Sequence, residues 1–232
     1  VTALFIFMVS SLLVAGRVAD RFGRRKIFLS GLLLYGVAGI MAGSLPVIWV
    51  LILARSLQGI AIAMLSPSGL AMSLNEFPPS RRAFALGVWG TIGALTGLCG
   101  SPIAAGMIEL FNWQAIFILT GGFSLLILLA GFVVLSDEQE GNNQLPIDWI
   151  SAIIAVMAVG GLTLFLVQGQ EWGFSSPVTL LCLCISIIST PLLAKRNRTQ
   201  RHPLFPPAIF AQRSFTIGAA GSALCQVGFF SI

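Results

Sequence analysis

The stretch Gly16-Arg17-Val18-Ala19-Asp20-Arg21-Phe22-Gly23-Arg24-Arg25-Lys26 lies across the junction of two apolar runs, about 1–19 and 27–45. Each run is long enough to cross a hydrocarbon core of ~30 Å as a helix. Five cations this close together cannot rest in lipid, so the chain turns here at a membrane surface and goes back. Gly23 supplies the turn. Asp20 falls at the carboxyl end of the first helix, where the macrodipole opposes a carboxylate. A partner is therefore expected for it, either Arg24 or the amino end of another helix.

Working outward, apolar runs recur along the whole chain: 1–19, 27–45, 47–76, 83–110, 114–135, 148–168, 177–195 and 213–232. Of the 232 residues 56% are apolar and 9% charged, far fewer charges than the roughly 25% of a soluble domain. The runs are continuous and not alternating, so the spans are helices and no barrel is indicated. The predicted fold class is an all-α polytopic membrane protein. Pro67 and Pro102 fall inside the two longest runs and are expected to kink them.

Charge orients the bundle. With these spans, every Lys and Arg except Arg55 falls on one side: Arg17 to Lys26, then Arg81 and Arg82, then Lys195, Arg196, Arg198, Arg201 and Arg213. Positive loops stay in the cytoplasm, so that side is inside, and Asp137, Glu138 and Glu140 fall there too. Trp49, Trp113 and Trp172 lie near the outer boundary and Trp149 near the inner one, as interfacial indoles do. The net charge of +5 thus reports topology, and no extended basic stripe points to nucleic acid. Cys99, Cys182, Cys184 and Cys225 all sit in apolar runs and read as small apolar residues, with no disulfide framework or thiolate metal site. No cofactor is expected. The chain begins and ends inside apolar stretches and reads as a fragment.

Arg55 carries the clearest physical cost. It lies eight residues beyond Val47, about 12 Å below the outer boundary at 1.5 Å per residue. An arginine at the centre of a span costs at least ~2.5–3.5 kcal/mol on insertion scales. No carboxylate shares its depth, because Asp20, Glu76, Glu109, Asp148 and Glu171 all sit at helix ends or in loops. Arg55 is therefore expected to face an interior cavity, its partner being Gln58 one turn on, backbone carbonyls, a substrate, or an acid on another helix. In the span 83–110, Gly93, Gly97, Ser101 and Ala105 recur every four residues, with Gly90, Gly100, Ala104 and Gly106 beside them. That period makes a smooth ridge for close helix packing.

These motifs resemble those of the major facilitator superfamily. The loop from Gly16 to Arg25 is similar to its signature G-x-L-A-D-R-x-G-R-K, with Val18 for the usual Leu and Arg25 for the usual Lys. The resemblance implies a conformational switch made by Gly16, Asp20, Arg21, Gly23 and Arg24, between family helices two and three. Arg55-x-x-Gln58-Gly59 resembles the fourth-helix motif R-x-x-Q-G, which implies a part in coupling proton movement to transport. Gly97-x-x-x-Ser101-Pro102-x-x-Ala105-Gly106 resembles the exporters' antiporter motif, Gly97, Pro102 and Gly106 matching while Ser101 and Ala105 replace glycines. Trp113-Gln114-Ala115-Ile116-Phe117 is similar to W-R-W-x-F of the drug-exporter branch, without its Arg and second Trp.

The runs 148–168 and 177–195, joined by Glu171-Trp172-Gly173 and Pro177, resemble the extra helix pair of fourteen-helix drug:proton antiporters of the EmrB/QacA type. The Arg201-His202-Pro203-Leu204-Phe205-Pro206-Pro207 stretch fits that branch's entry into its second half. His202 reads as a surface residue. The resemblance divides the chain into an amino-terminal bundle 1–135 (family helices two to six), a cytoplasmic loop 136–147, a linker helix pair 148–195, a Pro/basic loop 196–212 and the start of a carboxy-terminal bundle 213–232, about eight of fourteen expected helices. It implies proton-coupled efflux of small amphipathic compounds by alternating access in a bacterial inner membrane, with a periplasmic adaptor among the expected partners. An exporter or importer of one metabolite or siderophore is the alternative on the same fold. A polytopic membrane enzyme is the distant one, since no span carries a catalytic cluster.

Overall fold

A computed structural model describes residues 2–135 and 148–200, together with Ile217 and Gly221. The expected loop 136–147, the His202 stretch and the run 213–232 apart from those two residues lie outside the described residues. Seven long helices follow one another: α1 (Thr2–Phe22), α2 (Arg24–Ser44), α3 (Ile48–Asn75), α4 (Arg82–Leu110) after a 3-10 turn at Pro79–Arg81, α5 (Trp113–Val134), α6 (Trp149–Trp172) and α7 (Pro177–Thr199). All seven are long and apolar enough to cross a membrane.

Local chemistry sets the breaks. Gly23, at φ +97°, takes a left-handed conformation that any side chain would resist. Its N–H closes α1 on the Ala19 carbonyl at 3.0 Å, and its own carbonyl accepts from Ile27 at 3.2 Å to open α2. Helix α2 stops at Ser44, two residues before Pro46, and α3 at Asn75, before Pro78 and Pro79. The side chain of Asn112 caps α5 by accepting from Ala115 N–H at 3.1 Å, and Asp148 caps α6 by accepting from Ile150 and Ser151 N–H. Gly173, at φ +84°, ends α6, and Pro177 opens α7. Helices α3, α4 and α7 run on through Pro67, Pro102 and Pro191.

Small residues bring the helices together. Where α2 crosses α5, a Cβ on Gly39 would stand 2.8 Å from the Gly121 Cα, and one on Gly121 would stand 2.8 Å from the Gly36 carbonyl oxygen. Around that crossing Ala38, Ala42 and Ala54 are fully buried against Phe117, and nearer the cationic end Leu29, Leu32 and Leu128 form a second cluster. Ser124 donates to the Leu32 carbonyl at 2.9 Å across the same pair. Helix α1 packs on α3, and the α6–α7 hairpin is stitched by Ser186 donating to the Ala158 carbonyl at 2.7 Å. Helix α6 docks on α1 where Gly160 faces Ser10. Lipid, with no hydrophobic drive between helices, favours such close backbone approach.

The outer surface is correspondingly apolar. Trp49, Leu110 and Val133 are 76%, 78% and 86% exposed, a distribution that a bilayer satisfies and water would not. Cys99 and Cys184 are free and exposed, so they face outward instead of filling the interior as expected.

The helix ends run beyond the apolar runs. Helix α1 continues to Phe22 and takes Asp20 and Arg21 into its last turn, α6 continues to Trp172, and α7 to Thr199. The loop expected from 196 thus begins three residues later than the apolar run suggested. The cause at α7 is a clasp: Arg196 Nε donates to Asp148 Oδ2 at 2.8 Å and Nη2 to Oδ1 at 3.0 Å, while Ser151 Oγ donates to Oδ2 at 2.6 Å. A bidentate pair of this kind fixes orientation as well as distance.

The Arg196 guanidinium, with Ser151, holds the Asp148 carboxyl well below the usual carboxylate range. A lowered folded-state value adds stability that is complete above the unfolded value, near 3.9, and is lost only as pH falls through the lower one. Spin labels at Ile153 and Leu192 are therefore expected to give one narrow distance from about pH 7 to about pH 5, while Arg196→Ala broadens it throughout that range. Broadening of the wild type near pH 5 would contradict the clasp.

Candidate functional site

Arg55 sits in the second turn of α3, partly buried. Its guanidinium carbon lies 4.3 Å from the centroid of the Phe117 ring on α5. Phe117 is itself buried, and Trp113 meets it edge-on at 5.9 Å and 88°. The cation therefore rests on an aromatic platform inside the bundle instead of reaching back to the headgroups. Such a contact contributes about 2 kcal/mol when desolvated, enough to offset much of the ~2.5–3.5 kcal/mol insertion cost. Among the described residues no carboxylate comes within ion-pair distance of Arg55.

The expected pairing of Arg55 with Gln58 is not made. Gln58 is 1% exposed, and its Oε1 accepts no hydrogen bond. A 100° step per residue turns the two side chains apart by most of a turn's remainder, and the Phe117 ring is the nearer platform for a planar cation. Gly59 faces a third way, towards α1. A Cβ there would collide with the Leu4 carbonyl oxygen and stand 3.0 Å from Met8 N, so only glycine lets α1 and α3 touch at this level. The three residues of the motif thus serve α5, the packed face of α3, and α1 in turn.

At the cationic end, Arg24 Nη2 donates to Asp20 Oδ1 at 3.2 Å, the partner that the sequence called for at the end of α1. Arg25 Nη2 donates to the Phe132 carbonyl at 3.2 Å, in the last turn of α5. A cation against the negative end of a helix dipole is favourable, and it ties the α1–α2 turn to α5. The Arg21 guanidinium lies 5.3 Å over the Phe22 ring. A Cβ on Gly16 would meet nothing within 4 Å, and nothing in the structure explains glycine there.

The ridge on α4 has no neighbour among the described residues. Ala85 is its only buried residue, and a Cβ on Gly93, Gly97, Gly100 or Gly106 would meet nothing within 4 Å. The packing expected of Gly97, Pro102 and Gly106 therefore engages none of the other six helices.

Sequence reading missed Phe117 as the platform for Arg55, Phe132 as the acceptor for Arg25, and Arg196 as the partner of Asp148. Only the last carried a signal, since a capping aspartate and a basic last turn flank one helical hairpin.

The sequence profile of the Major Facilitator Superfamily matches residues 1–232. Among curated relatives, "Probable multidrug resistance protein EmrY" of Escherichia coli is 28% identical over 94% of this chain and 43% of its own length. "Tetracenomycin C resistance and export protein" of Streptomyces glaucescens is 30% identical over 94% and 41%, and "Puromycin resistance protein pur8" of Streptomyces alboniger 31% identical over 100% and 46%. The chain spans less than half the length of these relatives. With its membrane-length helices, its motif residues and a profile match from end to end, the chain belongs to the major facilitator superfamily.

Proposed function

We propose that this chain is part of a proton-coupled efflux antiporter for small amphipathic compounds, embedded in a bacterial inner membrane with its cationic end in the cytoplasm. The observation that carries the reading is Arg55, a guanidinium at membrane depth, stacked on Phe117 without a carboxylate partner among the described residues. A permanent cation so placed repels protons and substrate cations unless an acid or an anion comes to it. That makes it a point where the occupancy of one ligand can bias another. The resistance and export proteins to which the chain is similar support the same direction of transport.

In this reading the Asp20–Arg24 pair and the Arg25–Phe132 contact form a latch that breaks and reforms as the halves of the transporter rock. The full-length protein, expressed in an efflux-deficient strain, is expected to lower ethidium accumulation in energised cells, and a protonophore is expected to restore it. Lowered accumulation that survives collapse of the proton gradient would defeat the proton-coupled version.

A narrower cargo is the second reading. Ser101 and Ala105 stand where the antiporter motif has glycines, and two of the similar proteins are named for single antibiotics. Competition against ethidium efflux by a panel of unrelated compounds separates the two: many competitors favour the broad exporter, one chemical class the narrow one.

A further inference from the structure

A cavity of about 220 Å³ opens at the cationic end, between the start of α2, the end of α3, the start of α4 and the end of α5. Phe28, Trp89, Met72 and Leu135 line it, with one carboxylate, Glu76, at its mouth. Gly69 forms the floor: a Cβ there would stand 3.1 Å from the Phe28 ring and 3.2 Å from the Trp89 ring, so the glycine allows both rings to close over α3. The nearest polar side chain does not compete, because Ser73 donates to the Gly69 carbonyl at 2.8 Å. Among the described residues Glu76 has no ion pair or hydrogen bond, although Arg81 and Arg82 follow within one turn of Pro79.

Two aromatic rings, a thioether and an unpaired carboxylate around one small space are the donor set that recognises a quaternary or substituted ammonium group. The rings take the face of a soft cation that has no N–H to give, and the carboxylate supplies the opposite charge. The volume suits a trimethylammonium head and not a whole drug, so the apolar remainder of such a ligand would leave the cavity between the helices. We propose that this cavity is a binding site for the ammonium head of an amphiphile. It is separate from Arg55, which sits at the other end of α3 and repels the same charge. The proposal rests on the exporter reading only for the direction from which the ligand arrives, the cytoplasmic leaflet or the cytosol.

The test uses the full-length protein in phosphatidylglycerol nanodiscs and radiolabelled benzyltrimethylammonium, with binding read by equilibrium dialysis. Saturable binding is expected. Glu76→Gln is expected to weaken it about tenfold or more, Trp89→Leu several-fold, and Trp89→Phe little. The neutral isostere 2,2-dimethylpropylbenzene is expected not to compete. Size-exclusion profile and melting temperature of each variant show that the fold is kept, and Gly69→Val, which fills the floor, gives a second way to close the site. Equal affinity of Glu76→Gln and wild type, or equal competition by the neutral isostere, would overturn the proposal. A second arm replaces part of the lipid with phosphatidylcholine. Weakened probe binding there assigns the site to lipid head groups, and unchanged binding assigns it to soluble cations, both with the same ammonium chemistry. Binding is read without transport, so a failed site leaves the exporter reading standing, and a failed efflux assay leaves the site standing.

Discussion

Leucine at Gly39 is expected to unfold the crossing of α2 on α5, with a loss of about 3 kcal/mol or more. The reason is what the new side chain meets. Its Cβ would lie 2.8 Å from the Gly121 Cα and 3.0 Å from the Phe117 carbonyl oxygen, both backbone atoms of a packed helix. A flexible neighbour can rotate away, whereas backbone moves only if the whole helix moves. Separating α2 from α5 would also open the cluster of Ala38, Ala42 and Phe117, and lengthen the 2.9 Å bond from Ser124 to the Leu32 carbonyl. The Phe117 ring would shift with it, and so would the seat of Arg55. Gly87→Ala provides the contrast, since a Cβ there meets nothing within 4 Å, and alanine improves helix propensity by up to about 1 kcal/mol. Thermal unfolding in a mild detergent, followed by loss of the monodisperse peak, should show a lower midpoint for Gly39→Leu and an unchanged or higher one for Gly87→Ala. Equal midpoints would mean that the α2–α5 crossing is not where the bundle is held.

The spans were legible because in lipid one rule dominates: a polar backbone must satisfy itself, so ~20 apolar residues between charge clusters leave little choice but a helix. Gly23 was legible for a similarly local reason, since one residue between two antiparallel helices requires a backbone that only glycine adopts freely. Helix ends were less so. Hydropathy sees where apolar residues stop, but Asp20 and Arg196 are polar residues that stay helical because each has a partner. The partner of Arg55 was not legible at all. Phe117 lies 62 positions away, as the numbering shows, and nothing in an apolar run distinguishes a phenylalanine that carries a cation from one that meets acyl chains. The α4 ridge shows the converse limit. A four-residue period of small side chains says that a close neighbour fits there, not which helix it is.

Replacing Arg55 with methionine is expected to leave the bundle as stable as before, or slightly more stable, while proton-driven efflux falls at least about a hundredfold. The two halves of that statement have separate grounds. For stability, the charge costs ~2.5–3.5 kcal/mol at membrane depth and recovers about 2 kcal/mol from the Phe117 ring, so its removal is close to neutral. Methionine also keeps much of the side-chain volume against Phe117 and the α3 surface. For transport, a residue kept at a net cost to the fold supplies something other than stability. A hundredfold fall corresponds to about 2.7 kcal/mol of lost coupling, within reach of one charge in a poorly screened site. Arg55→Lys separates charge from shape, because an ammonium keeps the charge but cannot stack flat on a ring. Its rate is expected between wild type and Arg55→Met. Phe117→Leu, which removes the platform and keeps the cation, is expected to fall in the same interval. Ethidium efflux from energised cells expressing the full-length protein gives the rates, and melting temperature of the purified variants gives the stabilities. Wild-type efflux by Arg55→Met would remove Arg55 from the transport mechanism. A large drop in its melting temperature would instead make the Arg55–Phe117 contact a structural one.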